Sequence, residues 1–139
     1  MSSELLNAMS ISANGMRAQG ARIRVITENV ANVDTTGDVP GADPYRRKII
    51  TFANEMDRQA GVKKVQVDDI AGDEKTPFRL EYKPDHPAAN AEGYVKMPNV
   101  NSLLELADMR EAQRTYEANL GMIEQSRTMV MRTIDLLRA

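Results

Sequence analysis

Residues 102–139 read SLLELADMREAQRTYEANLGMIEQSRTMVMRTIDLLRA, with no proline and one glycine, Gly121. Alternating steps of three and four residues follow the 3.5-residue period of a coiled-coil seam and select Met109, Ala112, Tyr116, Asn119, Ile123, Ser126, Val130, Thr133 and Leu137. Polar residues occupy seam positions where a self-sufficient zipper would carry leucine, and such residues fix register while weakening stability. The stretch therefore predicts a long helix that needs a partner.

A second proline-free stretch, from about residue 3 to residue 33, repeats this alternation at Leu6, Met9, Ala13, Met16, Gly20, Ile23, Thr27 and Val30. Small residues let another backbone approach closely, so Ala13 and Gly20 favour tight helix packing, although glycine costs a helix about 1 kcal/mol. Spacing alone fits an ordinary amphipathic helix in a globular core equally well. Helices of about 45 and 55 Å, however, favour a helical pair over a compact domain of this size.

Prolines and glycines divide the chain into three segments. All 6 prolines and five of the 8 glycines fall between residues 34 and 100. We therefore expect an N-terminal helix at 1–33, a β-rich insert with connecting loops at 34–100 and a C-terminal helix at 101–139. The predicted fold is mainly α, with the terminal helices paired as an antiparallel coiled-coil hairpin. The three segments are expected to form one structural unit and not independent domains.

The insert carries a short strand pattern. Phe78, Leu80 and Tyr82 alternate with charged residues, which is typical of a half-buried strand. Residues 45–53 and 62–67 are plausible partners, so we expect at most three strands. A sheet this small must rest one face on a helix or on another molecule.

Composition excludes several classes of function. The formal net charge is −2, the sequence pI is about 5.5, and there is no cysteine. Because no segment has a basic excess, we expect no nucleic-acid partner, and the absence of a long apolar run argues against membrane insertion. The N-terminus lacks a cleavable secretory signal, and these rules alone favour a cytoplasmic protein.

No catalytic or ligand-binding motif stands out. His86, the sole histidine, follows Asp85 but lies between two prolines, so a rigid turn is a better interpretation than an acid–base pair. The acidic pairs Asp68–Asp69 and Asp73–Glu74 lack the spacing of a calcium loop and are expected to be solvated turns. No nucleophile elbow, phosphate loop or zinc-ligand set occurs. We therefore expect no enzyme activity, cofactor, metal or small-molecule substrate.

Residues 28–37 read ENVANVDTTG and are followed, after a short insertion, by a tyrosine and a basic run. This stretch resembles the N-terminal motif of the bacterial flagellar rod and hook axial proteins. The matching positions are Asn29, Ala31, Asn32, Thr35, Gly37 and Tyr45. In most of that family the tyrosine follows the glycine directly, whereas here residues 38–45 replace the junction.

Residues 81–101, EYKPDHPAANAEGYVKMPNVN, carry a sharper match. They are similar to the signature of the proximal rod members of the same family at Tyr82, Pro84, Pro87, Gly93, Tyr94, Val95, Pro98 and Asn99. Residues 110–119, REAQRTYEAN, resemble the family's motif in the C-terminal helix. Three separated matches in the right order make coincidence a poor explanation.

The resemblance implies a structural subunit of the proximal rod of the flagellar basal body. In that family the terminal helices pair, and copies stack helically into a hollow drive shaft that transmits torque and lets export substrates pass. The implied partners are copies of the chain itself, other flagellar rod proteins, the junction between rod base and export gate, and the flagellar type III export apparatus. The implied location, a rod that spans the periplasm and is exported without a cleaved signal, replaces the cytoplasmic expectation. From the residues alone, a soluble helical adaptor or export chaperone stays open as an alternative.

Three further positions carry specific expectations. The basic run at 46–48 is expected either to meet acidic surfaces of neighbouring subunits or to be a solvated strand edge. Tyr94 is expected to pack on a helix. Asn99, or alternatively Ser102, is expected to cap the C-terminal helix.

Overall fold

The computed structural model describes residues 2–138, with side chains from residue 3; Met1 and Ala139, the outermost residues of the predicted terminal segments, lie outside this range. Two helices flank a small strand insert, which confirms that part of the predicted fold. In chain order the elements are α1 (Ser2–Ala31), β1 (Lys48–Asp57), β2 (Val62–Gly72), β3 (Arg79–Tyr82), β4 (Tyr94–Met97) and α2 (Ser102–Arg138). The strands form two separate two-stranded sheets, β1–β2 and β3–β4.

The chain divides into two compact units. The first contains the described residues of Met1–Ile23, Thr51–Asp69 and Arg110–Ala139, and the second contains Arg24–Ile50 and Ile70–Met109. Each unit draws residues from all three segments that the sequence suggested. The three segments predicted from the sequence therefore divide the chain differently from the two compact units, and their boundaries stay a prediction.

In the first unit, α1 and α2 contact each other in antiparallel sense. A Cβ added to Gly15 would lie 2.9 Å from Nδ2 of Asn119, and the Arg22 guanidinium lies 3.9 Å from the Glu111 carboxylate. Residue numbers rise along one helix as they fall along the other. Within this chain, α2 comes close to α1 at Gly15 and not at Gly20, where an added Cβ would meet nothing within 4 Å.

Strands β1 and β2 are joined by a tight turn at Asp57. Its carboxylate accepts backbone N–H bonds from Gln59 and Ala60 at 3.0 and 3.1 Å, and its carbonyl accepts the N–H of Gly61 at 2.8 Å. Gly61 has φ of +66°, a conformation that glycine adopts readily. A connection this short requires antiparallel strands. Both strands run further towards their C-terminal ends than the sequence pattern suggested, and β1 begins three residues later.

The β3–β4 sheet, in the second unit, differs from the sequence prediction. Val95 and Met97 of β4 are buried, whereas Leu80 and Tyr82 of β3 are 65% and 66% exposed. The expectation that the apolar side of β3 is half-buried was therefore wrong. The antiparallel register places Glu81 opposite Val95, so the charged side of β3 shares the buried face of β4. The limit of three strands was also wrong, because β4 was not expected as a strand.

Candidate functional site

A group of polar side chains meets in the second unit at the end of α1, and we call this group the polar junction. Its members come from α1, the segment leading into β1 with the first residue of β1, the link from β2 to β3, the segment leading into α2, and the first turn of α2. They are Asn29, Tyr45, Arg47, Lys48, Asp73, Asn99 and Glu105. Asn29 and Glu105 are each only 1% exposed. Buried polar groups require partners, so this set must be assessed bond by bond.

Asn29 is the centre of the polar junction. Its Nδ2 donates to the carbonyl of Lys48 at 2.9 Å and to Oε2 of Glu105 at 3.1 Å. Its Oδ1 accepts from the Tyr45 hydroxyl and from the Lys48 N–H, both at 2.9 Å. These bonds use the full capacity of a side-chain amide, two donors and two acceptor lone pairs. One family-motif asparagine therefore joins α1, β1 and α2.

The buried Glu105 carboxylate is compensated on both oxygens. Oε1 lies 2.5 Å from Nε of Arg47, while Oε2 accepts the Asn29 amide. Arg47 also lies 3.7 Å from Asp73 Oδ2, and its backbone N–H donates to Asn99 Oδ1 at 2.7 Å. A buried charge is tolerated only when it is paired and hydrogen-bonded, and Glu105 meets both conditions.

The rest of the basic run also finds its partners within the chain. Arg46 donates to the carbonyl of Asp73 at 3.1 Å, and its guanidinium carbon lies 4.5 Å from the centroid of the Phe78 ring. Lys48 Nζ lies 2.5 Å from Glu28 Oε1. The interpretation as a solvated strand edge was therefore wrong, because all three side chains are partly buried against groups of the same chain. The alternative, contact with acidic surfaces of neighbouring subunits, stays a prediction.

Asp73 is buried, so the expected solvated turn at this position was wrong. Its Oδ2 accepts the Thr76 hydroxyl at 2.7 Å, and its Oδ1 accepts the N–H groups of Thr76 and Lys75 at 3.1 and 3.0 Å. These bonds, the Thr76 hydroxyl first among them, hold the pKa of Asp73 below its usual value. The ionised form is the one that fits the polar junction.

Asn99 does not cap α2. Its Nδ2 donates to the carbonyls of Asp73 and Thr76, both at 3.0 Å, and its Oδ1 is taken by Arg47. The cap is Asn101, whose Oδ1 accepts the N–H of Leu103 at 3.1 Å. Both candidates, Asn99 and Ser102, were therefore wrong. Asn99 lies two residues before the cap, and its side chain points into the polar junction instead of along the helix.

Tyr45 has a perturbed acidity. Its burial, followed by the negative charges of Glu28 and Glu105, raises the pKa of Tyr45 to about 12. The phenol thus stays protonated at neutral pH and can donate to Asn29. A tyrosinate here would lose that bond and face two carboxylates.

The remaining N-terminal motif residues shape the exit from α1. Asn32 donates to the carbonyl of Glu28 at 2.9 Å and accepts the Thr35 hydroxyl at 3.1 Å. A Cβ added to Gly37 would lie 2.6 Å from the Cβ of Ala42. The turn after α1 therefore closes on itself and requires glycine. Ala31 is exposed and makes no comparable contact.

The second motif shapes the connection between β3 and β4. Gly93 has φ of +85°, and a Cβ added there would lie 2.8 Å from the Tyr82 ring and 3.2 Å from Pro84. Tyr94 lies edge-on against Tyr82, with ring centroids 5.4 Å apart, and is 42% exposed, so its packing on a helix stays a prediction. Of the other motif positions, Val95 and Pro98 are buried and Pro87 is exposed.

The predicted seam residues are unequally covered. On α2, Ala112 is buried, Leu137 is exposed, and the half-buried positions are Met109, Tyr116, Asn119, Ile123 and Val130. On α1, Leu6 and Thr27 are exposed, and the other predicted positions are half-buried: Met9, Ala13, Met16, Gly20, Ile23 and Val30. The most buried side chains of α1 belong to a neighbouring series: Ser12, Ala18, Val25, Ile26 and Asn29. A pairing role for the predicted residues stays a prediction.

Helix α2 exposes many large apolar side chains, and we call this set the apolar surface of α2. It consists of Leu103, Leu104, Leu106, Leu120, Met122, Met129, Met131, Ile134, Leu136 and Leu137. Large apolar side chains left exposed in such number mark a candidate interaction surface. All of these positions except Leu137 lie off the predicted seam.

The described part of the chain shows neither a metal-binding cluster nor a membrane-spanning helix. Within residues 2–138, no group of three or more His, Cys, Asp or Glu side chains is placed to hold a metal ion. Neither α1 nor α2, as described, is long and apolar enough to cross a membrane.

Comparison with known proteins identifies the class. Residues 9–37 match the family described as flagella basal body rod protein, and residues 91–136 match the C-terminal family of flagellar basal body rod FlgEFG proteins. The chain therefore belongs to the flagellar basal-body rod protein family, whose members are structural components of the basal body and not enzymes.

Relatives that match over nearly the whole length are named flagellar basal-body rod protein FlgC. The protein from Agrobacterium fabrum is 52% identical over 95% of this chain and 94% of its own length. Those from Escherichia coli O157:H7 and Borreliella burgdorferi are each 36% identical, over 95% and 96% of this chain and 97% and 98% of their own lengths. These matches place the chain in the FlgC branch of the family.

Glu105 was not nominated from the sequence, and Arg47 and Asp73 were considered only as parts of a basic run and of an acidic turn. Glu105 lies in the first turn of α2, where an acid is favoured by the helix dipole, and this signal marks the residue but not its burial. Asp73 precedes Thr76 by three residues, which is a local capping pattern.

Proposed function

We propose that the chain is a subunit of the proximal rod, in which copies assemble helically, together with other rod proteins, into a hollow shaft. This shaft transmits torque and lets export substrates pass. The proposal is supported by membership in the rod family and by the proximal-rod signature at residues 81–101. A soluble helical adaptor or export chaperone is the weaker candidate, because no observation favours it over a rod component.

The observation that carries the proposal is the apolar surface of α2. Burying one leucine or methionine side chain contributes about 1.5–3 kcal/mol relative to leaving it exposed. Covering even part of this surface would stabilise an assembly by several such increments. A protein that works as a monomer has no use for so much uncovered apolar area on one helix.

Helix pairing is the second part of the proposal. The terminal helices pair as an antiparallel coiled-coil hairpin through the predicted seam positions, with 34–100 as the insert and 1–33 and 101–139 as the axial helices of one structural unit. The antiparallel contacts of Gly15 with Asn119 and of Arg22 with Glu111 support this arrangement in the first unit. Stability then depends on assembly, since partners that bind only the folded chain shift its folding equilibrium.

The proposed route to this position is the flagellar type III export apparatus, which would take up the chain without cleaving a signal. The chain would then join the rod near its base, at the junction with the export gate, and lie in the part that spans the periplasm. Support for these steps comes from the family resemblance.

Aspartate substitutions on the pairing faces test the proposal. Met16→Asp and Ile123→Asp each place a charge on a half-buried helix position, so we expect loss of swimming and of completed rods while the subunit is still exported. Gln125→Asp, at an exposed polar position of α2, is the control and is expected to swim. Normal rods in cells that carry either apolar-to-aspartate variant would refute the seam assignment.

A monomer measurement separates the two candidate functions. Circular dichroism and hydrogen exchange at micromolar concentration should show terminal helices with labile, rapidly exchanging amides if the chain is a rod subunit. Fully protected terminal helices in the monomer would favour the adaptor.

A further inference from the structure

His86 is held in one tautomer by its hydrogen bonds. Its Nδ1 accepts the backbone N–H of Ala88 at 3.0 Å. A ring nitrogen that accepts a bond carries no proton, so the proton of the neutral ring lies on Nε2. Nε2 lies 3.3 Å from Oγ1 of Thr36 and donates to it.

The imidazole joins two separate parts of the second unit. Thr36 belongs to the turn after α1, whereas Ala88 lies in the connection between β3 and β4. Ala88 is 6% exposed and packs with Val95 and Met97 in a small apolar cluster. The backbone bond from the Ala89 N–H to the His86 carbonyl, 2.9 Å, folds the same short turn. His86 therefore holds Ala88 in the cluster and ties that turn to the end of α1.

We propose that His86 is an acid-sensitive latch between the turn after α1 and the β3–β4 connection. Protonation of Nδ1 converts the ring into a donor at both nitrogens, and two N–H groups then face each other at Ala88. The bond to Ala88 is lost, and the turn that carries Ala88 loosens from the cluster.

Charged groups around the ring do not compensate for the lost bond. On the same connection, Lys83 pairs with Glu81 at 2.8 Å, and Asp85 is the neighbouring acid in sequence. On the turn after α1, the nearby acids in sequence are Asp34 and Asp38. None of the ion pairs among the described residues 2–138 involves the imidazole of His86. The protonated ring therefore gains no partner in exchange for Ala88.

Ring-nitrogen NMR tests the tautomer on the full-length chain. At pH 7.5 we expect the Nε2–H form of His86, with an unprotonated Nδ1. Observation of the Nδ1–H form at this pH would overturn the proposal outright, because that tautomer cannot accept the Ala88 bond.

Amide exchange tests the latch. The measured quantity is the protection of the Ala88 N–H, taken as the ratio of the unstructured-peptide rate to the observed rate at the same pH. We expect protection to fall about tenfold between pH 7.5 and pH 5.5, which corresponds to the loss of one hydrogen bond from a buried group.

The matched control is His86→Asn, whose side-chain oxygen can accept the N–H two residues on but cannot be protonated in this range. We expect its Ala88 protection to change less than twofold between the two pH values. His86→Ala should show low protection at both. An equal pH response in the asparagine variant and the parent chain, or no response in either, would refute the latch.

Discussion

Replacing Asn29 by aspartate changes the chemistry of one atom at the centre of the polar junction and leaves the side-chain shape intact. The new carboxylate oxygen would lie 3.1 Å from Glu105 Oε2 and 2.9 Å from the Lys48 carbonyl, where Nδ2 now donates to both. At an effective dielectric constant of 20, two unit charges at that separation repel by about 5 kcal/mol. Arg47 already forms an ion pair with Glu105, so its charge offsets only part of the repulsion between the two carboxylates.

We therefore expect Asn29→Asp to lower the free energy of unfolding by about 3–5 kcal/mol at pH 7.5. Paired carboxylates share a proton, so the pKa of the pair in the folded variant is raised above its unfolded value. Because the pKa is higher in the folded state, the variant is most stable at pH values below the pKa of the unfolded state. It loses stability as the pH rises through the pKa of the folded state. The difference in free energy of unfolding between the variant and the parent chain should therefore be smaller at pH 5 than at pH 7.5.

The assay is urea unfolding followed by circular dichroism, at both pH values, on four chains: the parent, Asn29→Asp, Glu105→Gln and the double variant. In the double variant the new amide at position 105 can donate to the new carboxylate at position 29, so the donor and acceptor exchange places. We expect it to be more stable than the sum of the single changes predicts, by about 2 kcal/mol or more. A cost below about 1 kcal/mol for Asn29→Asp, or additive costs in the double variant, would refute the reasoning.

Further changes test the helix contact, the phenol and the turn. Gly121→Ala adds a methyl that meets nothing within 4 Å, so we expect it to raise the free energy of unfolding by up to about 1 kcal/mol. Gly15→Ala should not show this gain, because its methyl would lie 2.9 Å from Asn119. Equal gains for the two variants in urea titrations would contradict this expectation. Because the pKa of Tyr45 is raised to about 12, its contribution is present below about pH 10 and lost towards pH 12. Tyr45→Phe should thus be less stable at pH 8 and show a smaller alkaline loss in the same titration. Gly93→Ala, at φ of +85°, should cost about 1–3 kcal/mol and lower the thermal midpoint, and an unchanged midpoint would exclude strain there.

The helices could be predicted because their signals are local. The proline-free stretches and their periodic apolar residues gave helix bounds within about two residues of Ser2–Ala31 and Ser102–Arg138. The turn chemistry around Gly37 and Gly93 is also local, and both glycines occupy positions where a Cβ would collide with a neighbour.

The polar junction could not be predicted in this way. Asn29 and Glu105 are 76 residues apart in sequence, and nothing in either neighbourhood specifies the other. The prediction of which face of β3 is buried was wrong for a related reason. A period-2 pattern indicates that one side of a strand differs from the other, but it does not say which side faces the core. In this chain the charged side of β3 shares the face on which β4 is buried, although Arg79 and Glu81 themselves stay partly exposed.

The polar junction has a mechanical consequence. Apolar contacts are non-directional, so two packed surfaces can slide past each other at little cost, whereas a hydrogen bond weakens steeply when its angle changes. The Asn29 amide makes four hydrogen bonds, three to Tyr45 and Lys48, just before and at the start of β1, and one to Glu105 of α2. A twist between the end of α1 and the start of α2 must therefore bend several bonds at once. We expect this joint to resist torsion elastically up to a limit and then to give way in a single step.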